Sequence, residues 1–182
     1  WVQWRALGAR VTAPRAARSM IDPEALVLIT LALRDHERRS WEVLASWIKR
    51  RSTALSIQRI KNLAAGYPQP TGDRLAELAR IALDEASDHR WRGLAGGTAG
   101  PPRRARDLTA PDVTAWDESA LVVRLRMGIG VGTQADILAF LLARRGDWAT
   151  ASEIVDALGY NVYAVRRAAD RMAVAQLILS SA

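Results

Sequence analysis

Residues 152–178, SEIVDALGYNVYAVRRAADRMAVAQLI, decide the fold of the C-terminal part of the chain. Apolar residues recur at helical spacing on both sides of Gly159, which predicts two helices joined by a short turn. Gly159 stands where such a turn requires a positive φ angle. The second helix has an apolar stripe with i, i+4 and i+7 spacing, which predicts three buried residues: Val165, Ala169 and Met172. The opposite face of that helix must then be open to solvent.

Side-chain caps predict where the neighbouring helices begin. Thr133 and Asp136 have the spacing of a capping box at the start of TQADILAFLLARRG. Thr150 and Glu153 have the same spacing at the start of the helix in SEIVDALG. Asn161 is positioned to cap the helix that follows the turn. The region therefore contains at least three consecutive helices.

Glycines and short apolar runs occupy the rest of this region. DESALVVRLRMGIG, residues 117–130, predicts a short helix that ends at glycine. GIGVG, residues 128–132, is similar to a phosphate-cradling loop, but it lacks a preceding strand and the GxGxxG spacing, so a turn is predicted. QLILSSA, residues 176–182, predicts a strand.

This order of helices, turn and strand is that of a winged helix-turn-helix. Residues 117–182 resemble the winged-helix domains of MarR-like and ArsR-like bacterial transcriptional regulators. The resemblance implies that the helix at about residues 162–175 is a recognition helix that enters the major groove of double-stranded DNA. It also implies a short strand at residues 147–149 that pairs with the wing, and a possible homodimer that spans two half-sites.

Two features depart from the pattern of these regulators. Gln176 stands in place of the glycine that usually separates the recognition helix from the wing, so the helix could run further. No second wing strand follows residue 182, and a lone strand cannot satisfy its own hydrogen bonds. A truncated domain is the expectation, and it would also explain why the chain starts at Trp1 and not at methionine.

The outward positions of the proposed recognition helix are candidate DNA contacts. Arg166 and Arg167 can each bind guanine or phosphate through two donors. The Tyr163 side chain can donate to phosphate or contact a thymine methyl group. The full predicted DNA-binding set is Asn161, Val162, Tyr163, Arg166, Arg167 and Arg171. The alternative is that the arginines form a solvated face and are neutralised by Asp170.

The N-terminal part predicts a helical bundle at residues 21–92. Asp22-Pro23-Glu24 is a strong helix start, and apolar stripes predict helices at about 24–35, 40–51, 56–66 and 72–86. Residues 56–83 also resemble the third helix onward of repressor-type helix-turn-helix domains, although the preceding turn is too long. That resemblance implies four outward side chains: Ser56, Gln58, Arg59 and Lys61. A packing or dimerisation bundle is the default interpretation.

The remaining segments differ in composition from the helical parts. Residues 1–20 carry four arginines and no acid, and form a basic leader of uncertain status. Residues 93–116 are rich in Gly and Pro and predict a linker. The predicted fold class is therefore mainly α, with an N-terminal helical bundle, a linker, and a C-terminal winged helix-turn-helix with an incomplete wing.

Composition excludes several kinds of chemistry. The 182 residues contain no cysteine, so disulfides and Cys-based zinc sites are excluded. They contain only two histidines, so a metal site built from several histidines or a Ser-His-Asp triad is not expected. No apolar run is long enough to span a membrane, and the chain is expected to be cytoplasmic and to need no cofactor. The net charge is +7, but residues 117–182 contain as many acids as arginines, so overall basicity does not support DNA binding there.

Three functional classes can be compared on these residues. A DNA-binding transcriptional regulator is favoured by the positions of the arginines in the helix-turn-helix pattern. A protein-interaction adaptor is the alternative, and Trp41 or Trp47 would then matter if either ring were exposed. An enzyme is not expected, because the carboxylate pair Asp117 and Glu118 lies near no base, metal ligand or phosphate loop.

Overall fold

A computed structural model describes residues 1–13, 17, 19–96 and 118–180, and these residues form ten α-helices and no β-strand. The N-terminal part contains six helices: α1 (Val2–Ala6), α2 (Pro23–Ala32), α3 (Arg38–Arg51), α4 (Ile57–Ala64), α5 (Thr71–Asp84) and α6 (Arg92–Ala95). The C-terminal part contains four: α7 (Leu121–Ile129), α8 (Thr133–Ala143), α9 (Ala151–Leu158) and α10 (Val162–Val174). The mainly α fold class and the N-terminal bundle helices are thus confirmed, with bounds that shift by a few residues.

The N-terminal helices close around a core of large apolar side chains. Trp47 is fully buried, and its indole Nε1–H donates to the Leu7 carbonyl at 2.8 Å. The rings of Trp4 and Trp47 meet edge to face with centroids 5.6 Å apart, a favoured aromatic geometry. The Trp4 Nε1–H donates to the Thr30 hydroxyl at 3.2 Å. Residues 1–13, to which the sequence assigned no certain role, therefore contribute to the core of the bundle.

The predicted linker is described only at its beginning. Residues 93–95 belong to α6, and Ala95 is buried in the bundle core. The rest of the linker, residues 97–116, and Asp117 lie outside the described residues. Within the described ranges, none of the helices is both long and apolar enough to cross a membrane.

The C-terminal helices α8, α9 and α10 each pack against the other two. Their shared core consists of Ile137, Ile154, Leu158, Val165, Ala168 and Met172. Val165 and Met172 are buried as predicted, but Ala169 is only half-buried and Ala168 takes its place. The buried stripe of α10 therefore consists of Val165, Ala168 and Met172. The stripe predicted from spacing alone was rotated slightly about the helix axis.

Side-chain caps explain where two helices, α2 and α9, begin. The Asp22 carboxylate accepts from the backbone N–H groups of Glu24 and Ala25, at 3.1 and 3.0 Å, at the start of α2. Thr150 and Glu153 form the predicted capping box of α9. The predicted capping box of Thr133 and Asp136 is wrong, because α8 has Gly132 at its N-cap and no side-chain cap.

Two backbone hydrogen bonds define the end of α10. The Leu177 N–H donates to the Met172 carbonyl and the Gln176 N–H to the Ala173 carbonyl, both at 2.9 Å. These two bonds define a Schellman motif, in which the residue after the cap adopts the left-handed conformation; Gln176 has φ +58°. The helix therefore stops and does not run further. Residues 176–180 and 147–149 form no strand, so both predicted strands are absent from the described residues.

Replacing Gln176 with glycine is expected to stabilise the fold by about 0.5–1 kcal/mol. A side chain in the left-handed region costs about 1–2 kcal/mol, whereas glycine adopts it freely. Chemical denaturation monitored by circular dichroism would measure the gain. Gln176→Ala is the matched control, since alanine keeps the Cβ and should give no gain; an equal gain in both variants would show that backbone strain is not the cause.

Candidate nucleic-acid interface

Local geometry fixes the orientation of α10. Gly159 adopts φ +68°, the left-handed conformation predicted for the turn. The Ala164 N–H donates to the Asn161 side-chain oxygen at 2.7 Å, which caps the helix as predicted. Val165, Ala168 and Met172 are buried against α8 and α9, and the opposite side of the helix faces solvent.

The predicted contact residues lie on this open surface. Tyr163 is 72% exposed, and Asn161 and Val162 are also exposed. The three arginines of the helix are exposed and, within the described residues, make no hydrogen bond or ion pair: Arg166, Arg167 and Arg171. The proposed neutralisation by Asp170 is therefore not observed in that part of the chain.

Four of the six predicted residues line one cleft of about 420 Å³: Asn161, Tyr163, Arg167 and Arg171. The other wall of the cleft is residues 129–135, which include the last four residues of GIGVG. Gly130 ends α7 with φ +95°, so the loop is a turn, as predicted. Val162 and Arg166 do not line this cleft. Arg167 and Arg171 thus line the cleft, whereas Arg166 lies on the open surface of the helix outside it.

A buried ionic cluster, not predicted from the sequence, joins the bundle to these helices. Arg126 donates its Nε and Nη2 to the two carboxylate oxygens of Asp136, both at 2.7 Å. The same guanidinium binds Glu24 of α2, with Nη2 3.1 Å from Oε2. All three side chains are essentially buried. Asp136, predicted to cap α8, instead pairs with Arg126.

Arg59 of α4 extends this cluster to the turn before α10. It pairs with Asp22, and its Nε donates to the Leu158 carbonyl at 2.8 Å. The predicted outward position of Arg59 is therefore wrong, since these acceptors hold its guanidinium inside. Ser56 is also buried, because its side chain caps α4 and its N–H donates to Glu24.

Two further contacts hold the same turn. The Tyr160 hydroxyl donates to Asp136 Oδ2 at 2.7 Å. The Asn62 side chain donates to the Gly159 carbonyl at 3.4 Å. The beginning of α10 is thus fixed from two sides, by α4 and by the ionic cluster.

Burial and charge set the protonation of this cluster. Burial raises the pKa of Glu24 above its usual value, although Arg126, Arg59 and the Ser56 N–H oppose the shift. Burial alone would lower the pKa of Arg126, but the carboxylates of Asp136 and Glu24 outweigh it and raise that pKa. Burial and the Asp136 carboxylate raise the pKa of Tyr160. Arg126 therefore stays charged and Tyr160 stays a hydrogen-bond donor at neutral pH.

Other kinds of site find little support in the described residues. They contain no group of three or more His, Cys, Asp or Glu side chains arranged to hold a metal ion. The chain matches no protein-family profile, no curated protein and no solved structure. The surface of α10 is thus the strongest candidate site, on geometry alone.

Proposed function

We propose that the chain binds double-stranded DNA and acts as a transcriptional regulator, with α10 in the major groove. The single observation that supports this best is the contrast between its arginines. Arg59 and Arg126 are buried and paired with carboxylates and carbonyls, whereas Arg166 and Arg167 are exposed and, in the described ranges, unpaired. Unpaired guanidinium groups on a rigidly held helix suit binding to guanine edges and phosphates.

The dimensions of α10 fit this role. Its 13 residues give a length of about 20 Å, and a major groove about 12 Å wide admits one α-helix. Arg171 and Arg167, in the cleft wall, lie away from the N-terminal turn and suit phosphate contacts at the edge of the groove. The proposal includes a winged helix-turn-helix of the MarR or ArsR kind and a homodimer, but DNA contact by α10 requires neither a wing nor a second copy.

Salt dependence tests this proposal directly. If α10 and its surroundings neutralise three or four phosphates, log K plotted against log salt should have a slope of about −3 to −4. The measurement is fluorescence anisotropy with a labelled mixed-sequence duplex, titrated between about 50 and 200 mM salt. An absence of duplex binding at the lowest salt concentration would contradict the proposed function.

Protein docking is a second candidate, favoured by exposed apolar side chains near the end of α8 and beyond α10. Five of these stand out: Leu142, Trp148, Val174, Leu177 and Leu179. The tryptophans first considered for such a role fit it poorly, since Trp47 is fully buried and Arg34 lies 4.1 Å over the Trp41 ring. Two results together would favour docking: the chain binds no duplex, and the Trp148→Ala variant no longer binds a protein partner that the unchanged chain binds.

A further inference from the structure

We propose that α4 makes a second contact with the same DNA duplex, so that the bundle takes part in binding besides holding α10. This inference rests on the proposed function and extends it to a different element. The exposed side of α4 carries Gln58, Lys61, Asn62 and Ala65. The buried side is the one that holds Arg59 and Ile60, so the two surfaces of this helix have separate roles.

A ladder of side-chain amides connects this exposed side to the start of α10. The Gln58 amide donates to the Asn62 side-chain oxygen at 2.9 Å. Asn62 in turn donates to the Gly159 carbonyl at 3.4 Å, and α10 begins three residues later. Arg59 fixes the same register by donating to the Leu158 carbonyl at 2.8 Å. The exposed side of α4 and the turn that leads into α10 are therefore joined by direct contacts.

The chemistry of this surface is complementary to a duplex. No acidic residue occurs in α4 or in the first eight residues of α10 (162–169), and Asp170 follows them on α10. Lys61 is exposed and has no ion-pair partner among the described side chains. Its ammonium suits a backbone phosphate, and amides such as Gln58 can donate to phosphate or bind adenine. With α10 in the groove, α4 would lie against the phosphates of the flanking strand.

Removing the Lys61 charge should have a defined effect on the salt dependence. Loss of one phosphate contact makes the slope of log K against log salt shallower by about 1 and weakens binding about five- to tenfold near 0.1 M salt. The variant is Lys61→Ala, measured with the same mixed-sequence duplex. Lys49→Ala is the matched control, because it removes the same charge from α3, where Lys49 pairs with Glu85. Thermal unfolding should change little in both, since Lys61 is exposed and the Lys49–Glu85 pair is partly open to solvent.

The absence of cysteine from the chain allows a positional test of the same surface. Single-cysteine variants Lys61→Cys, Asp170→Cys and Lys49→Cys would each carry an iron chelate that cleaves nearby DNA. We expect cleavage from the positions on α4 and α10, within one helical turn of each other, and none from Lys49→Cys. Cleavage from Asp170→Cys alone, with an unchanged slope for Lys61→Ala, would overturn the role of α4 and leave the proposed function standing. Loss of duplex binding by the unmodified chain would instead refute the proposed function itself.

Discussion

Replacing Arg126 with alanine is expected to lower the free energy of unfolding by about 3–5 kcal/mol. The substitution leaves the carboxylates of Glu24 and Asp136 buried without their main partner. It also removes the contact that ties α7 and α8 to α2. Urea denaturation monitored by circular dichroism measures the loss, which is a large fraction of the stability of a typical domain.

The exposed Arg124 supplies the control, because it lies on the same helix and has no partner among the described residues. Arg124→Ala should change stability by less than about 0.5 kcal/mol. The Arg126→Ala variant should also depend on pH. Burial already raises the pKa of Glu24, and loss of Arg126 raises it further. The stability lost by the variant relative to the unchanged chain should then be smallest below the pKa of Glu24 and grow as pH rises through it.

Equal stability of the two variants would contradict the role assigned to the cluster. So would a loss in Arg126→Ala that grows as the pH is lowered, because protonation relieves the buried Glu24 carboxylate when its partner is removed.

The parts that the sequence predicted correctly are those that depend on neighbouring residues. The Thr150 and Glu153 capping box, the Asn161 cap and the left-handed Gly159 are all set within a few residues. The open face of α10 follows from helical spacing, which is also local. Four of the six predicted contact residues line one cleft, which spacing alone could not show.

The parts that the sequence did not predict depend on distant partners. Arg126 and Glu24 are 102 residues apart, and nothing local distinguishes the buried Arg126 from the exposed Arg124 on the same helix. Asp136 has the spacing of a capping residue, yet Arg126 binds its carboxylate inside the structure. Arg59 was expected to face outward, because nothing local shows that the Leu158 carbonyl would approach it. The Schellman motif at the end of α10 was likewise not predicted, because glycine usually occupies the left-handed position where this chain has Gln176.

Simultaneous replacement of Arg166 and Arg167 with alanine is expected to weaken duplex binding at least about thirtyfold. Each guanidinium that binds a base edge contributes about 1–3 kcal/mol, and neither side chain supports the fold. Thermal stability should therefore be retained, which separates lost binding from unfolding. If one or both arginines bind phosphate, the slope of log K against log salt should become shallower by about 1 for each.

The most direct test of α10 as the DNA-binding element compares two double variants of equal charge. Arg38 and Arg39 are adjacent, exposed arginines on α3, so Arg38→Ala/Arg39→Ala removes the same charge from a different surface. The dissociation constant of each variant for one duplex would be measured at about 0.1 M salt. We expect the α10 variant to lose at least about thirtyfold in affinity and the α3 variant to lose less than about threefold. Equal affinity of the two variants would contradict the assignment of α10 as the DNA-binding helix.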